Sequence, residues 1–130
     1  MMSELQQVLV VDDYPDTREM LSIALEFAGY DVLLAESGLE AIERARRHHP
    51  AVVVMDIFMP GMDGVEATRQ LRTEPDLARI PVVAHTARPW GLEGVEGLFD
   101  AICPKPCPPD TLVSLVEKTL GSKSGGTDIP

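Results

Sequence analysis

Three aspartates, a threonine and a lysine are the residues of this 130-residue chain best suited to chemistry, because each stands at the end of an apolar run. Asp12-Asp13 closes Val8-Leu9-Val10-Val11, and Asp56 closes Ala51-Val52-Val53-Val54-Met55. Thr86 ends the run that starts at Ile80, and Lys105 follows Ala101-Ile102-Cys103-Pro104. Carboxylates brought together in a partly shielded crevice repel one another, so without a cation at least one takes up a proton. A hard divalent cation relieves that repulsion. Mg²⁺ does so with a few carboxylates, waters and substrate phosphate, which makes Asp12, Asp13 and Asp56 candidate metal ligands. Lys105 offers a mobile positive charge to phosphate oxygens, and Thr86 offers a hydroxyl donor. With no serine, cysteine or histidine closing a strand beside the cation, the nucleophile of such a phosphoryl site is a carboxylate, and Asp56 is the candidate. An acyl phosphate there would add a charge of about −2 and three strong acceptors, which suits a switch better than a metabolic catalyst.

The runs that position these residues lack alternation and read as strands buried on both faces. Between them lie helical patterns. Residues 16–28 carry Met20, Ile23, Ala24 and Phe27 at helical spacing, with Pro15 in the first turn and Gly29 as the stop. Residues 31–35 form a short second strand. Ser37 and Glu40 have capping-box spacing, and the helix they open runs through Leu39, Ile42 and Ala45 to His49-Pro50. Residues 63–72 read as a third helix, and Leu112, Val113, Leu115, Val116 and Leu120 form the stripe of a final one. Alternating strands and helices argue for an α/β fold with a parallel sheet covered on both faces, which binds ligands at the carboxyl ends of its strands. The polar residues above share that rim.

With 45% hydrophobic and 25% charged residues the chain suits one ordinary globular domain. We expect the domain to span residues 1–121, followed by a disordered tail over 122–130. A net charge of −10 opposes direct nucleic-acid binding. No apolar run is long enough to span a membrane and no signal peptide is evident, so a cytoplasmic location is expected. Cys103 and Cys107, four apart, match neither a redox pair nor a zinc set and are expected to be reduced, packed thiols, with a regulatory disulfide as the less favoured alternative. The basic end of the second helix, Arg44 to His49, reads as a solvated helix terminus. His85 should point to the opposite side of its strand from Thr86, and no metal is assigned to histidine.

Val10-Val11-Asp12-Asp13, the run from Met55 to Gly64, His85-Thr86-Ala87 and Pro104-Lys105-Pro106 together resemble the response-regulator receiver domain of two-component signalling, over roughly residues 6–121. The resemblance implies a flavodoxin-like, doubly wound five-stranded parallel sheet in the order 2-1-3-4-5. It implies that Asp56 accepts phosphate from the phosphohistidine of a sensor histidine kinase or a histidine phosphotransfer protein. Asp12, Asp13, Asp56 and the backbone carbonyl of Phe58 would hold Mg²⁺, and Thr86 and Lys105 would grip the phosphoryl oxygens. It further implies a Lys105-Pro106 bond of the kind often cis in the family. Gly61 and Gly64 serve backbone geometry.

The chain departs from that pattern between Thr86 and Lys105, where it is shorter by about one helical turn. Pro89, Gly91, Gly94 and Gly97 weaken a helix there, so the fourth helix is expected to be short, irregular or displaced, and mobile. Ile102 stands where receivers usually carry an aromatic residue that moves with the threonine. The adjoining surface is the family's usual output and dimerisation face, so a homodimer is one expectation, with the downstream target open. Phe58 and Arg88 flank the expected phosphoryl position. The 25 residues after Lys105 are too few for a DNA-binding effector domain, so a stand-alone receiver is expected, as a diffusible adaptor, a phosphorelay intermediate or an excised piece of a larger regulator. As a phosphoacceptor it is expected not to be an enzyme beyond self-phosphorylation and slow autodephosphorylation. Two alternatives are an Mg²⁺-dependent phosphatase with an aspartyl-phosphate intermediate, which lacks its general acid because Phe58 stands two residues after Asp56, and a pseudo-receiver that only binds protein.

Overall fold

The computed structural model describes residues 5–124. Five strands, β1 (Gln7–Val11), β2 (Asp31–Ala35), β3 (Val52–Asp56), β4 (Val82–Thr86) and β5 (Ala101–Pro104), form one parallel sheet in the order β2-β1-β3-β4-β5. Four α-helices cover it: α1 (Pro15–Phe27), α2 (Gly38–His48), α3 (Gly64–Thr73) and α4 (Pro109–Ser124). Every residue of β3 and of β4 is buried, as uninterrupted apolar runs require of central strands. Two cores result. Leu9, Val11, Val53, Met55 and Ala84 pack towards α2 and α3. Val8, Val10, Val52, Val54 and Val83 pack towards Leu21 and Leu25 of α1 and towards Leu112, Val116 and Leu120 of α4.

Local signals fix the helix starts. Pro15 opens α1, and Gly29, at φ 103°, lies just beyond its C-cap. Ser37 accepts the Glu40 N–H at 3.1 Å to cap α2, and Asp63 accepts the Glu66 N–H at 2.9 Å to cap α3. Glu40 also accepts the Glu36 N–H at 2.8 Å, one residue before the position a capping box would use.

The apolar stripe read on α1 is corrected. Met20, Ile23 and Phe27 face solvent, Phe27 at 94% exposure, whereas Leu21 and Leu25 are buried. The helix carries apolar residues on two faces, and periodicity alone selects the wrong one. The fourth helix of the alternation is replaced by two 3₁₀ turns, Pro89–Leu92 and Glu96–Leu98. Gly94 between them has φ 89°, which breaks any continuous helix. Leu92 and Phe99 still bury their side chains in the α2/α3 core.

Arg72 of α3 secures the end of that segment. Its guanidinium donates to the carbonyls of Leu98 at 2.7 Å, Ile80 at 2.6 Å and Ala78 at 3.0 Å, and to Asp100 at 3.1 Å. Asp100 in turn accepts the Val82 N–H at 2.9 Å, at the start of β4.

The expectation for the cysteines is also corrected. Cys103 and Cys107 form a disulfide across Pro104-Lys105-Pro106, with Cα atoms 6.3 Å apart. Spacing along an extended chain hid this, because the loop after β5 turns back and brings the two residues within bonding range. The Lys105-Pro106 peptide is cis. At the C-terminus, α4 continues to Ser124, beyond the expected domain boundary, and the rest of the expected tail, 125–130, lies outside the described residues. No described helix is long and apolar enough to cross a membrane.

Candidate functional site

The carboxyl ends of β1, β3, β4 and β5 meet on one rim, because a parallel sheet points all its strand ends the same way. β1 and β3 are hydrogen-bonded neighbours, which sets Asp12 beside Asp56. Carboxylate oxygens of Asp12, Asp13 and Asp56 lie within 4.8 Å of one another. Asp12 and Asp56 are buried, at 1% and 5% exposure, while Asp13 is exposed. Asp12 is oriented by the Tyr14 N–H, which donates to its Oδ1 at 2.9 Å, and Arg18 donates to its main-chain carbonyl at 2.7 Å.

From the end of β5, Lys105 reaches across the rim. Its Nζ lies 3.3 Å from Asp56 Oδ1 and 3.4 Å from Asp12 Oδ2. Its backbone N–H donates to the Thr86 carbonyl at 2.7 Å, which pins the loop to β4. The Thr86 hydroxyl is fully buried and accepts the Arg88 N–H at 3.0 Å, so its own proton is still available to donate.

One lysine does not neutralise this cluster. Burial, then the adjacent Asp12 charge, push the Asp56 carboxyl up to about 7, and Lys105 only partly opposes them. The site therefore carries uncompensated negative charge on hard oxygen donors. That fits a small divalent cation of the Mg²⁺ class.

The chain after β3 is shaped by glycines. Gly61 has φ 74°. Gly64 donates its N–H to the Ile57 carbonyl at 2.8 Å, and a Cβ on it would overlap the Asp56 carbonyl oxygen and approach Ile57 Cα to 2.8 Å. Phe58, two residues past Asp56, is half exposed on the rim. The Arg88 guanidinium lies over its ring, 4.9 Å from the centroid, and a Cβ on Gly91 would meet the ring at 2.9 Å.

His85 lies on the opposite face of β4 from Thr86. It is buried, neither ring nitrogen has a hydrogen-bond partner, and burial pulls its pKa down to about 4. It lines a groove with Thr17, Met20, Ala87, Lys105, Pro106 and Cys107.

Asp12, Asp13, Asp56 and Lys105 are thus brought together, and Thr86 ends the neighbouring strand on the same rim. The Arg72 clamp and the Arg88–Phe58 stack were missed, and the disulfide around Lys105 was the less favoured reading of its two cysteines. The bracketing of a lysine by Cys-Pro and Pro-Cys was a visible signal for the last.

The response regulator receiver domain model matches residues 8–117. The chain belongs to that family. Among curated relatives, the receiver is 39% identical over 129 residues to response regulator MprA of Mycobacterium sp. strain KMS, covering 95% of this chain and 55% of MprA. It thus spans about half the length of the first such relatives. It is 37% identical over 120 residues to protein PilH of Pseudomonas aeruginosa, covering 88% of this chain and 97% of PilH. Among solved structures it resembles the receiver domain of sensor histidine kinase PA1611 from P. aeruginosa, with TM-score 0.83 and 28% identity over 90% of this chain and 98% of that one. That receiver was solved with a magnesium ion coordinated in its active site cleft.

Proposed function

We propose that this receiver is a phosphorylation-dependent signalling switch whose acceptor is Asp56. The observation that carries the reading is the position of Asp56: nearly buried at the end of β3, within 4.8 Å of two further carboxylates and 3.3 Å from Lys105. In this reading an Asp56 oxygen attacks the phosphorus of a phosphohistidine on a sensor histidine kinase or histidine phosphotransfer protein. A P–O bond forms, the P–N bond breaks, and the imidazole leaves with a proton. Lys105 then exchanges its contact with Asp56 for one with a phosphoryl oxygen, and the Thr86 hydroxyl donates to another.

Asp12, Asp13, Asp56 and the Phe58 carbonyl are the proposed holders of Mg²⁺. When bound, the cation neutralises the charge that builds on the transferring phosphoryl oxygens. Asp56, crowded by Asp12, would be held ionised near neutral pH by a cation on these residues.

A phosphatase reading has less support. It needs a general acid near the acyl phosphate, and the residue two beyond Asp56 is Phe58, whose ring packs on Arg88 and Gly91. The domain acts instead as an acceptor that turns over slowly by its own hydrolysis. An acidic surface, net −10, argues for protein partners over nucleic acid.

The test is incubation with Mg²⁺ and acetyl phosphate, read by intact mass. One phosphoryl group per chain is expected in the wild type and none in Asp56→Asn. Mass gain in that variant, or none in a wild type that also fails to bind beryllofluoride, overturns the reading.

A further inference from the structure

The Cys103–Cys107 disulfide closes a loop whose middle residue is Lys105, the cation that holds Asp12 and Asp56. The intervening residues are Pro104 and Pro106, whose rings already restrict the backbone. The loop is fixed at one end by β5 and by the bond from the Lys105 N–H to the Thr86 carbonyl. At the other end the disulfide ties Cys107 back to the strand, beside its packing in the core shared with α4, before the chain enters α4 at Pro109. A covalent bond that can be made and broken thus brackets the residue that holds Asp12 and Asp56.

Both cysteines are buried, and of the two Cys107 lines the groove of about 370 Å³ formed with Thr17, Met20, His85, Ala87, Lys105 and Pro106. His85 pairs in register with Cys103, and both ring nitrogens of His85 lack a partner. A thiol formed beside it would supply the missing donor, so the reduced pair has a prepared environment as well as the oxidised one.

We propose that Cys103–Cys107 is a thiol–disulfide exchange site that takes a dithiol as its reductant, and that its redox state sets how firmly Lys105 serves the acceptor site. This rests on the reading of Asp56 as phosphoacceptor. A thiolate of the dithiol attacks Cys107 Sγ, the Cys103–Cys107 bond breaks, and Cys103 leaves with the electron pair and takes a proton. The second thiol of the reductant then attacks its own sulfur in the mixed disulfide and releases Cys107 as a thiol. Two electrons and two protons pass to the protein, and the dithiol ends as a disulfide. Reduction opens the loop, and Lys105 loses its fixed placement over Asp56.

The experiment uses the full chain, oxidised with glutathione disulfide or reduced with dithiothreitol. Alkylation and intact mass count the thiols, and Mg²⁺ with acetyl phosphate gives the rate of Asp56-dependent mass gain. The oxidised form is expected to have no alkylatable thiol and the reduced form two. The reduced form should acquire phosphate roughly 3- to 30-fold more slowly, within the ~10²-fold that misplacing a reacting group costs. Cys103→Ser/Cys107→Ser is expected to match the reduced rate and ignore dithiothreitol. Two free thiols persisting under glutathione disulfide, or equal rates in the two wild-type forms, overturns the proposal while leaving Asp56 as acceptor. Absence of Asp56-dependent phosphate in both forms removes the acceptor reading and the coupling with it.

Discussion

The guanidinium of Arg88 lies over the ring of Phe58, 4.9 Å from its centroid, at the mouth of the crevice that holds Asp56. Arg88 also donates its N–H to the Thr86 hydroxyl, so the stack is tied to the threonine proposed to grip the phosphoryl group. Such a cation–π pair at a half-exposed site is worth about 0.5–1 kcal/mol. Removing the ring by Phe58→Ala should open the mouth to water and shorten the half-life of phosphorylated Asp56 several-fold, with little change in unfolding midpoint. Loss of the mass increment over time measures this, and an unchanged half-life would mean that the stack does not govern water access.

Crowding at Asp56 has a pH signature. Its folded pKa, about 7, lies above the ordinary value, so between those values the folded chain binds more protons than the unfolded one. Metal-free stability from this group therefore falls as pH rises from about 4 to about 7. Asp56→Asn should have the higher melting temperature at pH 8 in EDTA, with the gap closing towards pH 4. Parallel melting curves across that range would show that no such repulsion exists.

Mg²⁺ should reverse the penalty. Binding to the folded state alone stabilises by about 1.4 kcal/mol when the free ion is at ten times its Kd. It should also release protons near pH 7, as Asp56 gives up the one it holds. Calorimetry in buffers of different ionisation enthalpy reads both effects, and Asp13→Asn should weaken them without changing the fold.

Arg72 should matter for stability although it is remote from the chemistry. Arg72→Met leaves the carbonyls of Ala78, Ile80 and Leu98 without this donor, at a cost of about 1–3 kcal/mol. Hydrogen exchange at residues 95–100 should rise more than elsewhere. Uniform exchange changes would assign Arg72 a general packing role instead.

Gly64→Ala should lower stability by ~1–3 kcal/mol, the usual cost of forcing atoms into filled space, because its Cβ has no room against Asp56 and Ile57. Chemical denaturation checks this, and a neutral result would mean that the start of α3 can shift freely.

Legibility in the sequence followed the range of the interactions. The strands, their ends and the convergence of Asp12, Asp13, Asp56, Thr86 and Lys105 on one rim were readable because continuous apolar runs alternating with helices argue for a parallel sheet, whereas the strand order came only from the resemblance to receiver domains. The broken fourth helix was readable from Pro89 and three glycines. The buried face of α1 was not, since Met20, Ile23 and Phe27 have the same periodicity as Leu21 and Leu25. Nor were the Arg72 clamp and the Arg88–Phe58 stack, which join residues 6 to 30 positions apart through loops that no local pattern specifies.

The close approach of Gly64 to Asp56 leaves no room for a side chain between the tip of β3 and the first turn of α3. A shift of the Asp56 backbone would therefore press directly on α3. At its other end the same helix holds the Leu98 carbonyl through Arg72, so α3 bridges the acceptor strand and the end of the 3₁₀ segment.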